Sequence, residues 1–436
     1  MTFELRLKDI ELQNFRLFDK VKIAFDEKLT VLISENGAGK TALLEGIAKA
    51  LTVVTERLAH DETNLNNKGI YLSEDIKNES ATSTTDLNLL SKIYTTGINI
   101  LPINSDNLIG WQVRFNRKSL VVKVEQKDNS LDSIAQGIDE ALSAKEPVSL
   151  PVIAYYSCER LITSSKNGQE DNYNMEIFNA YDHALDGLSL NYKRFLDWYD
   201  WQERIERINK NNNVLNIVKE AILAILNDDE ETSFTNIYID PSQFKNPRLI
   251  IQKGMDKVEV NQLSSGEKSL LMLVSNLAYR MALLNPNAQN PLKEGQGIVL
   301  IDEIDLHLHP RWQRAVIPKL QHIFPNIQWV ISTHSPQVLG EVEGAKIYIL
   351  DNKQVRLLDF NTYGKDMNRI LDRIMGVPER NEKVLEDFDH YFELIELNEL
   401  ADAQNLRQSL EKRIGTDEPL FRRADGILKR KQLIGR

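Results

Sequence analysis

The stretch Ile298-Val299-Leu300-Ile301-Asp302-Glu303-Ile304-Asp305-Leu306-His307-Leu308-His309 decides how the chain is read. Four consecutive apolar residues read as a strand buried on both faces, the pattern of a parallel sheet. Two carboxylates follow at once, at the carboxyl end of that strand, where open α/β sheets place their ligands. In that position Asp302 would hold a Mg²⁺ ion and Glu303 would activate a water against a γ-phosphate. A buried strand that merely ends in an acidic turn has the same sequence, so this stretch alone leaves both readings open.

The tie is broken upstream. Leu29 to Ile33 is another short apolar strand, followed by Ser34-Glu35-Asn36-Gly37-Ala38-Gly39-Lys40-Thr41. From Asn36 to Gly39 the glycines on either side of Ala38 let the backbone curl so that successive N–H groups face a phosphate. Lys40 reaches the β- and γ-phosphates, and the Thr41 hydroxyl binds Mg²⁺. A helix over Thr41 to Leu51 begins there, so its positive end faces the same anion. Ser34 stands where Gly is usual and tolerates the tight turn less freely, but the phosphate-facing glycines remain.

Composition bounds the rest. A chain of 436 residues with a hydrophobic content of 42% is two to three domains' worth of ordinary globular protein. No apolar run is long enough to span a bilayer, and no signal-peptide pattern opens the chain. The single cysteine, Cys158, excludes an internal disulfide and fits a reducing cytoplasm, as a packed thiol. A net charge of −11 excludes a globally basic nucleic-acid binder but not a local basic groove.

Phe3 to Ile10 and Val21 to Phe25 alternate apolar and polar residues and read as an antiparallel pair joined through Asn14-Phe15-Arg16. Residues 60–100 read as a poorly periodic polar insertion, and Trp111 to Glu125 as a hairpin around Asn116-Arg117-Lys118. Val152 to Tyr156 is a buried strand. Arg160, just beyond it, reaches a nucleotide or partner, or makes a surface salt bridge. Tyr192 to Leu226 reads as a helical hairpin broken at Asn211 to Asn213. Its first stripe is Phe195, Trp198, Trp201, Ile205 and Ile208; its second runs from Val214 to Ile225. Both stripes are explained as core-facing, with a dimer contact as the second reading.

Short strands at Ile237 to Ile239, Arg248 to Gln252 and Lys257 to Val260 lead into Leu263-Ser264-Ser265-Gly266-Glu267 and an apolar helix. Small residues there make an anion-binding helix start or an ordinary N-cap. His307 and His309 have ligand-like spacing without further ligands. Trp329 to Ile331 is a buried strand running into Ser332-Thr333-His334-Ser335, which puts His334 beside the expected γ-phosphate. Ile347 to Leu350 and Val355 to Leu358 close the sheet as a hairpin. From Asn361 onward the periodicity is helical, with Leu385, Phe388, Phe392, Ile395 and Leu397 on one face and Leu406, Leu410 and Ile414 on another. The basic run Arg422, Arg423, Lys429, Arg430 and Lys431 is a solvated face, or a contact for a partner or nucleic acid.

In this order the elements resemble the ATP-binding cassette class of ATPases, in its SMC/RecF-like branch. The resemblance implies an α/β fold: a P-loop sheet with added antiparallel strands, a helical insertion and a C-terminal helical tail. The expected division is an ATPase domain at 1–58 and 150–360, with the helical insertion at about 192–227. A polar insertion with a hairpin would occupy 59–149 and a helical region 361–436. Leu263 to Glu267 resembles the signature motif, with Ser265 and Glu267 where Gly and Gln are common. It implies that Ser264, Ser265, Gly266 and Glu267 of one subunit complete the ATP site of another in a head-to-tail homodimer or higher oligomer. By the same resemblance Asp302 with Thr41 would be the Mg²⁺ ligands, Glu303 the catalytic glutamate, Asp305 the D-loop and His334 the γ-phosphate switch. The Q-loop glutamine has no assigned position.

Within that class, DEIDLHLHPRWQ followed by STHSPQVL is similar to bacterial AAA family ATPases of antiphage systems, Septu, retron, PARIS and OLD-type among them. A cassette with a short helical tail is most similar to the Septu ATPases, PtuA. OLD-type proteins add a Toprim nuclease, for which a tail of about 75 residues leaves no room. No His-Asn-His nuclease pattern appears. The implied partner is therefore a separate nuclease or effector, with DNA or RNA as a further contact and no membrane. The rivals are a repair or structural-maintenance ATPase that clamps DNA directly and a slow nucleotide-gated platform. A transporter subunit fits the soluble sequence context less well.

Overall fold

In the computed structural model, the quartet Ile298 to Ile301 is completely buried at the middle of a parallel sheet. The structure describes residues 2–34, 37–59, 75–76, 84–96, 108–116, 122–126, 130–161, 177–189, 192–209, 213–227, 234–240, 248–351, 353–375 and 380–434. The chain divides into two units, 1–365 and 366–436.

The first unit begins with β1 (Thr2–Phe15), β2 (Phe18–Ala24), β3 (Leu29–Ser34) and α1 (Lys40–Ala59). Next come β4 (Thr84–Thr96), β5 (Leu108–Asn116), β6 (Val122–Gln126), α2 (Ser130–Ser143), β7 (Val152–Leu161) and β8 (Gly187–Ser189). Helices α3 (Tyr192–Asn209) and α4 (Asn213–Leu226) precede β9 (Phe234–Ile239), β10 (Leu249–Lys253) and β11 (Asp256–Glu259). Then follow α5 (Ser265–Leu284), α6 (Pro291–Glu294), β12 (Gly297–Ile301), α7 (Pro310–Ile323) and β13 (Ile327–Thr333). The unit closes with α8 (Pro336–Gly340), β14 (Lys346–Asp351) and β15 (Gln354–Leu357).

The main sheet runs β15-β14-β3-β13-β12-β7-β8, parallel except for β15. Every residue of β12 and β13 is buried, which is why Ile298 to Ile301 and Trp329 to Ile331 read as short apolar runs. Because β13 lies between β3 and β12, the ends of the P-loop strand, the His334 strand and the Asp302-Glu303 strand share one edge of the sheet. Near the start of β13 the buried amide of Gln328 is hydrogen-bonded through both its oxygen and its nitrogen. It donates to the carbonyls of Leu7 and Asp26 at 2.9 and 2.7 Å and accepts from Leu7 N–H at 2.7 Å. This amide joins the main sheet to β1.

The second sheet, β2-β1-β4-β5-β6, is antiparallel. It corrects the expectation of an aperiodic insertion over 60–100, because residues 84–96 form a long strand between β1 and β5. Leu87, Leu89 and Ile93 stand opposite Leu12, Ile10 and Leu5, but Ser91 and Thr95 take the register opposite Leu7 and Phe3. An irregularity between Leu7 and Asp9 shifts the phase midway. Helix α2 was also not anticipated in that insertion. Its Leu131, Ile134, Ala135 and Ile138 are buried at helical spacing, and it packs on α1. A third, smaller sheet has the order β11-β10-β9.

On α3 the expected core-facing stripe is only half right. Phe195 and Trp198 are buried, but Trp201 is 47% and Ile208 79% exposed. Each step of three residues falls about 60° short of a full turn, so these two positions drift off the face that Phe195 occupies. The buried face continues instead through Tyr199 and Glu203, which bond to Ile237 O at 2.7 Å and Ile239 N at 3.3 Å on β9. On α4 the stripe Val218, Ala221, Ile222 and Ile225 is buried as expected.

The second unit contains α9 (Met367–Met375), α10 (Glu382–Glu396), α11 (Leu400–Ile414) and α12 (Pro419–Ile434). Phe388, Tyr391, Leu394, Ile395, Leu410 and Phe421 form its core. Leu397, expected on the buried stripe, caps the end of α10 and is 64% exposed. Lys431 of the basic run donates to the carbonyls of Ile395 and Glu396 at 2.8 and 2.9 Å, satisfying the last turn of α10. Arg422, Arg423, Lys429 and Arg430 are exposed. Among the described residues no helix is long and apolar enough to cross a membrane.

Candidate functional site

The loop after β3 turns through Gly37, Ala38 and Gly39 into α1; Glu35 and Asn36 lie outside the described residues. Gly37 and Gly39 have φ of 78° and 106°, backbone that an L side chain resists. A Cβ at Gly39 would stand 2.8 Å from both Leu17 Cδ2 and Phe18 Cζ, so the turn between β1 and β2 backs the loop. Nothing lies within 4 Å of the corresponding point at Gly37. The Lys40 ammonium donates to Ser34 Oγ at 2.7 Å and Ser34 O at 3.3 Å. Ser34, the departure from the usual Gly, thus holds the lysine. Burial lowers the lysine's proton affinity, and the carboxylates of Asp302, Glu303 and Asp305 partly restore it.

Thr41 Oγ1 donates to Asp302 Oδ2 at 2.6 Å, bringing the two expected Mg²⁺ ligands together. Asp302 is fully buried; its other oxygen accepts from Ser332 Oγ, and its N–H donates to Tyr156 O at 2.8 Å. Ser332 Oγ in turn accepts from Glu303 N–H at 2.8 Å. Glu303 has φ of 46°, a left-handed conformation uncommon outside glycine, and the Ser332 bonds hold it there. Its Oε1 is 3.9 Å from His334 Nε2. Asp305 Oδ1 accepts from Thr333 Oγ1 at 2.6 Å and from His334 N–H at 3.3 Å, so the turn after β12 is bonded to the end of β13. Burial, then the charge of Lys40, lowers the His334 proton affinity against the pull of the three carboxylates, favouring a neutral imidazole.

Ser332 was missed as a site residue. It appeared only as the lead-in to His334, because a serine in a buried strand has many uses. Its position between Asp302 and Glu303 makes it the orienting group for both. Replacing Ser332 with Ala should lower kcat about tenfold, since a buried carboxylate loses a donor and the Glu303 turn an acceptor. Phosphate release measures this. An unchanged kcat would mean that Thr41 alone fixes Asp302.

Ser264 caps α5 reciprocally with Glu267: Glu267 Oε2 accepts from Ser264 N at 2.8 Å, and Ser264 Oγ from Glu267 N at 3.3 Å. The other oxygen of Glu267 accepts from Lys253 Nζ at 2.8 Å. Burial alone would raise this carboxyl, but the bonds from Lys253 and Ser264 hold it below the usual range. Its carboxylate is therefore engaged within its own chain. Ser264 and Ser265 are exposed. A Cβ on Gly266 would come within 2.6 Å of His307 O, so the start of α5 packs directly on the turn after Asp305. These two segments form one continuous surface. His309 is the N-cap of α7, its Nδ1 accepting from Arg311 N at 3.3 Å. Among the described residues no group of three or more His, Cys, Asp or Glu could hold a metal alone.

The donor set at Thr41 and Asp302 suits a small hard cation. Mg²⁺ takes oxygen ligands, typically one or two from protein beside phosphates and water. A hydroxyl and a carboxylate beside the glycine loop expected to bind phosphate would meet that need.

A family model described as an AAA ATPase domain matches residues 6–339. The chain is 30% identical to the Retron Vc95 probable ATPase of Vibrio cholerae serotype O1 biovar El Tor, over 84% of this chain and 78% of that one. It is 29% identical to the Retron Ec83 probable ATPase of Escherichia coli, over 95% of this chain and 85% of that one. Septu protein PtuA of Bacillus thuringiensis is 22% identical, over 86% and 85%.

Proposed function

The chain belongs to the AAA ATPase domain family and is an ATPase, and from that premise we propose that it serves as the nucleotide-hydrolysing subunit of an antiphage defence complex. In this reading two copies close head-to-tail around ATP and control a separate nuclease or effector. The names of the relatives, two retron ATPases and a Septu protein, support the defence setting.

The observation that carries the chemistry is the bonded chain Thr41–Asp302–Ser332–Glu303. Loop amides and Lys40 bind the β- and γ-phosphates, and Thr41 with Asp302 would hold Mg²⁺, which offsets phosphate charge when bound. Glu303, beside His334, takes the proton of the attacking water. Exposed Ser264 and Ser265, next to the turn that carries Asp305 and exposed His307, support the dimer reading, because both segments would reach the second copy's nucleotide together. ATP is then the bridge between subunits, and hydrolysis shifts the population toward the open form.

The test is affinity capture of tagged Glu303→Gln protein with ATP and Mg²⁺ from its native host, read by mass spectrometry. Recovery of a small nuclease is expected. Recovery of the chain alone with co-purifying DNA would overturn the defence reading in favour of a direct DNA clamp.

A further inference from the structure

The end of β1 and its turn to β2, which backs the P-loop, carry two non-glycine residues with positive φ, Asn14 at 53° and Arg16 at 48°. Such backbone persists only where its surroundings hold it. Here the holding group is Asp75. Its carbonyl accepts from Arg16 N–H at 2.7 Å, and one carboxylate oxygen accepts from Arg16 Nε at 3.0 Å. The other carboxylate oxygen accepts from Lys49 Nζ on α1. Arg16 also pairs with Glu45 of α1, and Phe15 forms a β-bridge to Ile76.

This cluster is deeply buried, with the Asp75 side chain 1% and that of Lys49 9% exposed. Desolvation consumes much of the Coulombic gain of so buried a pair, so net stability is a poor account of it. What the cluster does determine is geometry. The two elements it joins are those on either side of the P-loop. Helix α1 starts at Lys40, while Leu17 and Phe18 follow Arg16 and press on Gly39.

We propose that Asp75 is a positioning residue for ATP binding: it clasps the β1–β2 turn to α1 so that Leu17 and Phe18 hold the curl of the P-loop at Gly39. It acts through Arg16, Lys49 and the turn, not by touching nucleotide. The inference rests on the reading of residues 34–41 as the nucleotide loop. Without the Asp75 carboxylate, Arg16 and Lys49 lose the anion they share, and the turn relaxes. Gly39 loses its backing, and the loop amides no longer converge on one phosphate. The bonded arrangement at the ends of β12 and β13 is left intact. Binding therefore suffers more than the chemical step.

Steady-state ATP hydrolysis and thermal melting of four variants test this. Asp75→Ala should raise the KM for ATP about tenfold with kcat changed less than about twofold. If that variant folds poorly, Asp75→Ala with Lys49→Met removes the orphaned ammonium and should recover melting while KM stays high. Leu17→Ala, with the clasp intact, should reproduce the KM increase. Recovery of KM together with melting in the double variant would reduce Asp75 to a structural role and overturn the proposal. An unchanged KM in Leu17→Ala would overturn it equally. Lys40→Ala is the control: if it still binds ATP, the P-loop reading itself fails. If it loses ATP while the other variants keep a normal KM, only the clasp fails.

Discussion

Glu303→Gln should lower the rate of ATP hydrolysis about 10²- to 10³-fold while leaving ATP bound, the range expected when a positioned general base is removed. The substitution is nearly isosteric. The bond from the residue 303 N–H to Ser332 Oγ, at 2.8 Å with Glu303, is made by the backbone and survives. So do the P-loop, Lys40 and the Thr41–Asp302 pair, the groups proposed to bind the phosphates and to hold Mg²⁺. What disappears is the carboxylate proposed to accept the proton of the attacking water. The loss also removes a negative charge close to the γ-phosphate, which favours retention of ATP. A collapse of kcat with little change in affinity is the signature of an interaction made in the transition state. Phosphate release, with nucleotide retained through gel filtration, gives both halves. Turnover within a few-fold of the parent would remove Glu303 from the chemistry.

Lys40→Ala should act at the opposite end, weakening ATP binding about 10²-fold, as expected for loss of a buried charged hydrogen-bond donor. Lys40 is only 5% exposed and is held by Ser34, so its ammonium is already placed before nucleotide arrives. Among the described residues, the charged groups that act on it are the carboxylates of Asp302, Glu303 and Asp305. A secondary effect has a fixed sign. The Lys40 charge is one cause of the lowered proton affinity of His334, so its removal should let His334 hold a proton more readily. Calorimetric titration with ATP measures the main effect, and undiminished binding would contradict the assignment of the loop.

The parts of the molecule legible from sequence are those where one physical demand dominates. Strands β12, β13 and β3 are covered on both faces and so carry the apolar runs Ile298 to Ile301, Trp329 to Ile331 and Val31 to Ile33, and the expected α/β architecture with a parallel P-loop sheet is what forms. Gly37 and Gly39 are legible because their backbone needs them. Strand β4 was not, because Ser91 and Thr95 stand in its register opposite Leu7 and Phe3, and the shift near Leu7 breaks the alternation. The buried face of α3 departs from the expected stripe because its 3-3-4-3 spacing has too few steps of four to stay on one face, and Tyr199 and Glu203 carry that face instead.

The site divides in the same way. His334 and Glu303 announce themselves by residue type at a strand end. Ser332 does not, since its role exists only because β13 lies beside β12 and brings its hydroxyl to both carboxylates. The internal pairing of Glu267 depends on Lys253, which reaches it from β10 across the β10–β11 turn. Asp75 lies in a polar stretch with no periodicity to mark it, and its partners Arg16 and Lys49 are far off in sequence. Long-range polar contacts of this kind leave no local pattern.

Light scattering of purified Glu303→Gln protein with Mg²⁺ and ATP, set against the same protein without nucleotide and with ADP, decides whether two copies close on the nucleotide. Closure of two copies on ATP predicts an increase in particle mass with ATP that is absent with ADP. The same mass in all three conditions would contradict the head-to-tail dimer and leave an ATPase that works within a single chain or a preformed assembly.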